Sequence, residues 1–138
     1  MGGSAVTLTL EAARATLDDA LRIARESDKR ISVVIVDDRG LEVCAARMDG
    51  ANWFTLGVAR AKAQTAATFK RTSDSLAKLK GDYPELFLHI DDQLAFRATT
   101  LPGGVPLGEP VVGGIGVSGA HPEEDLRIAT AAAAAFHS

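Results

Sequence analysis

Val111-Val112-Gly113-Gly114-Ile115-Gly116-Val117-Ser118-Gly119 reads as a buried strand that carries three glycines and then breaks into a glycine loop. Its β-branched residues supply strand propensity. Its glycines pack nothing and weaken the strand. A strand accepts that cost where another backbone, or a ligand, has to come very close. Two readings follow. Either this is a central strand with helices lying tightly on it, or its end forms one wall of a ligand site with the helix start at His121-Pro122-Glu123-Glu124-Asp125.

Working outward, Ile31-Ser32-Val33-Val34-Ile35-Val36 is almost continuously apolar, as expected of a central strand buried on both faces. Asp37-Asp38-Arg39-Gly40 is a turn signal, so Leu41 to Met48 returns as an antiparallel partner. Thr9 caps a first helix whose apolar face is Leu10, Ala13, Leu17, Leu21 and Ala24 and which ends near Ser27 or Asp28. A second, alanine-rich helix runs from about Phe54 to Arg71, with Lys62 flanked by alanines so that it can point inward. Ser73 or Asp74 can cap a short helix through Lys80. From Gly81 to Pro110 the pattern is irregular, with a strand expected at Gln93 to Ala98 and a short edge strand at Val105 to Leu107. Pro122 opens a last helix through Phe136. Hairpins among the strands with helices at both chain ends indicate an α+β sandwich, because a parallel doubly wound sheet needs regular strand–helix alternation.

Composition narrows the function classes. Hydrophobic residues make up 46%, charged residues 24%, and the formal net charge is −3 without a long run of one sign, which is the profile of an ordinary globular chain. No basic patch speaks for nucleic acid or a membrane surface, and no apolar run reaches transmembrane length. Aromatic residues are only 5%, too few for a base-stacking platform. The lone Cys44 forbids an intramolecular disulfide and a cysteine-type zinc site, and a reducing cytoplasm is the expected location. Residues 1–6 read as a flexible leader and residues 7–138 as one domain.

Few residues invite chemistry. His121 stands between the glycine strand and a helix start, where it is either a helix-entry residue or an acid/base group or an axial ligand to haem iron. His89 lies in the irregular part and His137 at the chain end. Ser118 and Gly119 can cradle a carboxylate at a helix N-terminus, although Glu123, Glu124 and Asp125 already place negative charge there and read as helix-end electrostatics. Arg47, Arg60, Lys62 and Arg71 are candidates for a positive rim around an acidic ligand. Met48 and Cys44 are soft iron ligands in principle and read more simply as strand residues. No nucleophile elbow, phosphate loop or dinucleotide fingerprint is present.

Several pieces, in this order and spacing, resemble the GlcG/HbpS-like family, which includes the carboxy-terminal domain of PduO-type proteins. They are Leu8-Thr9-Leu10-Glu11-Ala12-Ala13, Val36-Asp37-Asp38-Arg39-Gly40, Ala46-Arg47-Met48-Asp49-Gly50-Ala51, Ala61-Lys62-Ala63-Gln64-Thr65-Ala66, Pro102-Gly103-Gly104-Val105-Pro106-Leu107 and the Val112 to Gly119 stretch followed by Glu124-Asp125. The resemblance implies a sandwich with a five-stranded, mainly antiparallel sheet, assembly into a homo-oligomer, and haem as the ligand. It carries over no axial ligand, since haem ligation in the family does not rest on one shared residue. The chain departs from the pattern at Leu86-Phe87-Leu88-His89-Ile90-Asp91-Asp92, which reads as its own loop.

Two functions are expected to compete. The first is a protein binding haem or a related tetrapyrrole, with His121 as the metal ligand and Arg47, Met48, Gly114, Ser118, Gly119 and His89 around the ligand. The second is a small cofactor-independent enzyme for an acidic or carbonyl metabolite, in which Arg47 or Lys62 binds negative charge and His121 or Asp49 moves a proton.

Overall fold

A computed structural model describes residues 7–137, so the expected leader lies outside the described residues. The sheet is antiparallel, in the order β2-β1-β4-β3, with β1 at Ser32–Asp37, β2 at Glu42–Arg47, β3 at Gly104–Leu107 and β4 at Gly113–Ser118. The two strands expected at the centre are there. β1 pairs with β2 on one side and β4 on the other, and every residue of β4 is buried.

The sheet has four strands among the described residues, not the five that the resemblance implied. Gln93 to Ala98, expected as a strand, is not one. Its backbone donors are drawn to the end of the preceding helix: Gln93 N–H donates to the Ile90 carbonyl, Leu94 N–H to the Asp91 carbonyl and Ala98 N–H to Asp91 Oδ1 at 2.7 Å. Half of the segment's backbone donors are thus committed locally and do not enter a ladder.

Helices α1 (Leu10–Glu26) and α5 (Pro122–Ala134) cover one face of the sheet, and α2 (Thr55–Phe69) covers the other. Thr9 caps α1 as expected, accepting from the Ala12 N–H at 3.1 Å. The first face is filled by Leu17, Ile35, Ile115, Val117 and Ile128. The second is thin: Val34 and Val36 meet Ala59, Ala63 and Ala67. Its glycines explain the thinness. A Cβ on Gly114 would lie 2.6 Å from the Ala63 carbonyl oxygen, and one on Gly116 would lie inside the backbone of α2 at Ala59. The glycine strand is therefore read correctly as a close-packed central strand, and the approaching backbone is that of α2.

Between Ser73 and Asp92 a 3-10 turn (Ser73–Leu76) leads into α3 (Ala77–Asp82) and α4 (Pro84–Asp92). The segment expected as a loop at Leu86 to Asp92 is helical. Pro84 at its first position was the available signal, masked by an apolar run with no helical stripe. Only Phe87 of α4 is buried, under the Lys80 ammonium, while Tyr83, Leu86 and Leu88 stay exposed.

Candidate functional site

The pairing of Ser32 with both Arg47 and Ser118 puts the start of β1 and the ends of β2 and β4 at one end of the sheet. The start of α2 joins them through a 2.8 Å hydrogen bond between the Ser32 and Thr55 hydroxyls. Arg47, Met48, Asp49, Ser118, Gly119 and His121 thus gather there, although they span 75 positions' worth of sequence in two separate pieces.

They fall into two adjoining patches. In the first, Leu21, Arg25, Arg30, Arg47, Met48 and Asp49 line a cleft of about 360 Å³. Arg47 and Asp49 are exposed, and Met48 is half-buried with its Sδ accepting from the Ile31 N–H at 3.4 Å. In the second, Gly119 lies against the Arg30 carbonyl, which a Cβ there would approach to 2.5 Å. Ser118 is buried, and His121 is exposed as the N-cap of α5 with no capping hydrogen bond. Gly114 belongs to the α2 seam rather than to either patch. His89 is elsewhere, on α4, beside a cleft of about 540 Å³ lined by Tyr83, Pro84 and Leu86, with its Nε2 3.9 Å from the Glu85 carboxylate.

Behind the His121 turn sits a buried ion pair. Lys62 points inward as its alanine neighbours suggest and is 3% exposed. Its Nζ donates to the Val117 carbonyl at 2.8 Å and to Asp125 Oδ2 at 3.3 Å. Asp125 Oδ1 accepts from the Ala120 N–H at 2.9 Å. Burial is the largest influence on both groups: it lowers the Lys62 pKa and raises that of Asp125, each partly offset by the other's charge. The Gly103 chain passes so near that a Cβ there would lie 3.0 Å from Nζ. The pair ties α2, β4, α5 and the exit turn together and has no open side for a ligand.

Sequence reading missed Asp125, grouping it with Glu123 and Glu124 as helix-end charge. The missing inference was that an inward lysine needs a buried acid. Arg25 and Arg30 were missed as well. Among the described residues, no three His, Cys, Asp or Glu side chains are placed to hold a metal ion.

The sequence model of the family described as "Haem degrading protein HbpS-like" matches residues 8–134. The chain belongs to the HbpS-like family. Over 120 residues it is 30% identical to the corrinoid adenosyltransferase PduO of Salmonella typhimurium, a match covering 86% of this chain and 35% of that protein. The chain thus spans about a third of that relative's length. A double mutant of Streptomyces reticuli HbpS superposes with a TM-score of 0.84 at 31% identity, over 99% of this chain and 91% of the other. A complex of PduOC with haem superposes with a TM-score of 0.81 at 28% identity, over 96% of each chain. HbpS-like chains thus share this fold across nearly the whole molecule.

Proposed function

We propose that the protein binds haem or a related tetrapyrrole at the Arg47–His121 end of the sheet. The observation that carries the proposal is the likeness to PduOC, which was crystallised with haem and shares the fold over 96% of this chain. The residues at this end suit such a ligand. His121 offers an exposed imidazole free of a capping bond, and imidazole is a common axial ligand to haem iron. Arg47 and its neighbours supply cations for propionates. Met48 and Leu21 give apolar contact. Once bound, the iron supplies ligand-binding and electron-transfer chemistry, while the chain binds and orients the macrocycle.

The proton-transfer enzyme has less support, because Lys62 is spent on Val117 and Asp125 inside the core. The homo-oligomer is part of the same proposal. The alanines of α2 are used within the chain, whereas Tyr83, Leu86 and Leu88 are exposed and available. No helix among the described residues is long and apolar enough to cross a membrane, and a cytoplasmic location remains part of the proposal.

Titration with haemin tests the reading. A saturable Soret band is expected, and His121→Ala should abolish its shift while His89→Ala leaves it. Loss in His89→Ala alone would move the ligand to α4. Absence of any saturable band would end the proposal.

A further inference from the structure

We infer that Arg25, Arg30 and Arg47 form a binding site for a compact carboxylate or phosphate anion. Three separate parts of the chain bring them to one cleft: the last turn of α1, the turn into β1 and the last residue of β2. Three of the other arginines are paired with acids. Arg22 reaches Glu26 at 2.7 Å, Arg60 reaches Glu42 at 2.6 Å and Arg127 reaches Glu124 at 2.9 Å. Among the described residues, none of the three cleft arginines has a carboxylate within 4.0 Å, although Asp49 lines the same cleft. Three cations therefore face one anion in a chain whose formal net charge is −3.

The cleft is built as well as charged. A Cβ on Gly50 would lie 3.8 Å from the Arg30 side-chain stem, so that stem lies over the turn. The bond from the Ile31 N–H to Met48 Sδ fixes part of the floor. At about 360 Å³ the cleft is at the small end for ligand sites, which run from about 300 to 1,000 Å³. That volume suits a small acid, or the acid group of a larger ligand reaching in. Guanidinium groups bind carboxylate and phosphate through paired N–H donors, so both share the recognising chemistry. The inference uses the same end of the sheet as the proposed tetrapyrrole site but does not require a macrocycle.

The test is the thermal midpoint of the full chain in low-salt buffer, titrated separately with succinate and inorganic phosphate against sodium chloride at matched ionic strength. A saturable rise of about 4 °C beyond the chloride control is expected for at least one anion. Arg30→Gln and Arg47→Gln should each weaken the apparent affinity about tenfold, the effect of losing roughly one charge-assisted bond. Arg39→Gln, at the opposite end of the sheet, should leave it unchanged. Both cleft side chains are exposed, so the variants should keep the wild-type midpoint without anion; Arg30→Lys and Arg47→Lys give a second pair that retains charge. A rise that chloride reproduces, or one that survives in both glutamine variants, overturns the inference. Haemin titration of the same variants separates the two readings. Anion binding without a Soret band sinks only the tetrapyrrole, and a Soret band without anion binding sinks only the cleft.

Discussion

The two faces of the sheet are built on opposite rules from the same strand. Toward α1 and α5, β4 presents Ile115 and Val117, which interdigitate with Leu17, Ile35 and Ile128. Toward α2 it presents Gly114 and Gly116, so that helix backbone lies directly on strand backbone. A side-chain face spreads a misfit over many rotamers, whereas a backbone face has nothing that can move aside. The thin face is therefore the less tolerant one, although it buries less.

The largest effect should come from Gly116→Ala. One methyl group would enter the backbone of α2 at Ala59, and the loss should exceed about 4 kcal/mol, at the exceptional end for single substitutions. Calorimetry would show the cooperative transition lost or moved far down. An unchanged midpoint would break the comparison.

Next comes Lys62→Ala, which removes the strut between the two faces and leaves Asp125 buried without its cation. A loss of about 3 kcal/mol is expected, the lower end for breaking one partner of a buried pair. Urea unfolding measures it.

The pair also carries a pH signature. The folded-state pKa of Asp125 is raised above its ordinary 3.8 by burial. The folded form thus holds the proton more tightly, and its contribution to stability is complete below the ordinary value and is lost as pH rises through the raised one. Wild type should gain stability relative to Asp125→Asn as pH falls from neutral toward 4. A difference that stays flat over that range would mean the carboxyl is not held in this way.

The smallest effect sharpens the contrast. Gly57 also lies in α2, but a Cβ there meets nothing within 4 Å. Gly57→Ala should stabilise the chain by about 0.8 kcal/mol through helix propensity alone. The same change, glycine to alanine, thus acts in opposite directions inside the seam and on the solvent side of the helix that forms it.

Much of this architecture was legible because burial leaves a mark on composition. The unbroken apolar run of β1 and the glycines of β4 each announce what lies on them, and Lys62 among alanines announces an inward charge. What stayed hidden has few local marks. Helix α4 keeps Leu86 and Leu88 exposed and buries only Phe87, so periodicity had nothing to report. The expected strand at Gln93 to Ala98 failed because its donors bond to residues just behind it, a local competition that strand propensity does not register. At the candidate site, Arg47, Met48 and Asp49 stood out as one motif. Arg25 and Arg30 did not, because only the register of β1 against β2 brings the end of the first helix beside them.

Trp53 is the chain's single indole and is 80% exposed, two residues ahead of the Thr55 that anchors α2 at the end of the sheet where the ligand is proposed to bind. Its intrinsic fluorescence should already be red-shifted in the native state and change little on unfolding. The same emission should be quenched when a light-absorbing macrocycle settles nearby, so an unlabelled sample reports occupancy of that end while staying nearly silent about the core.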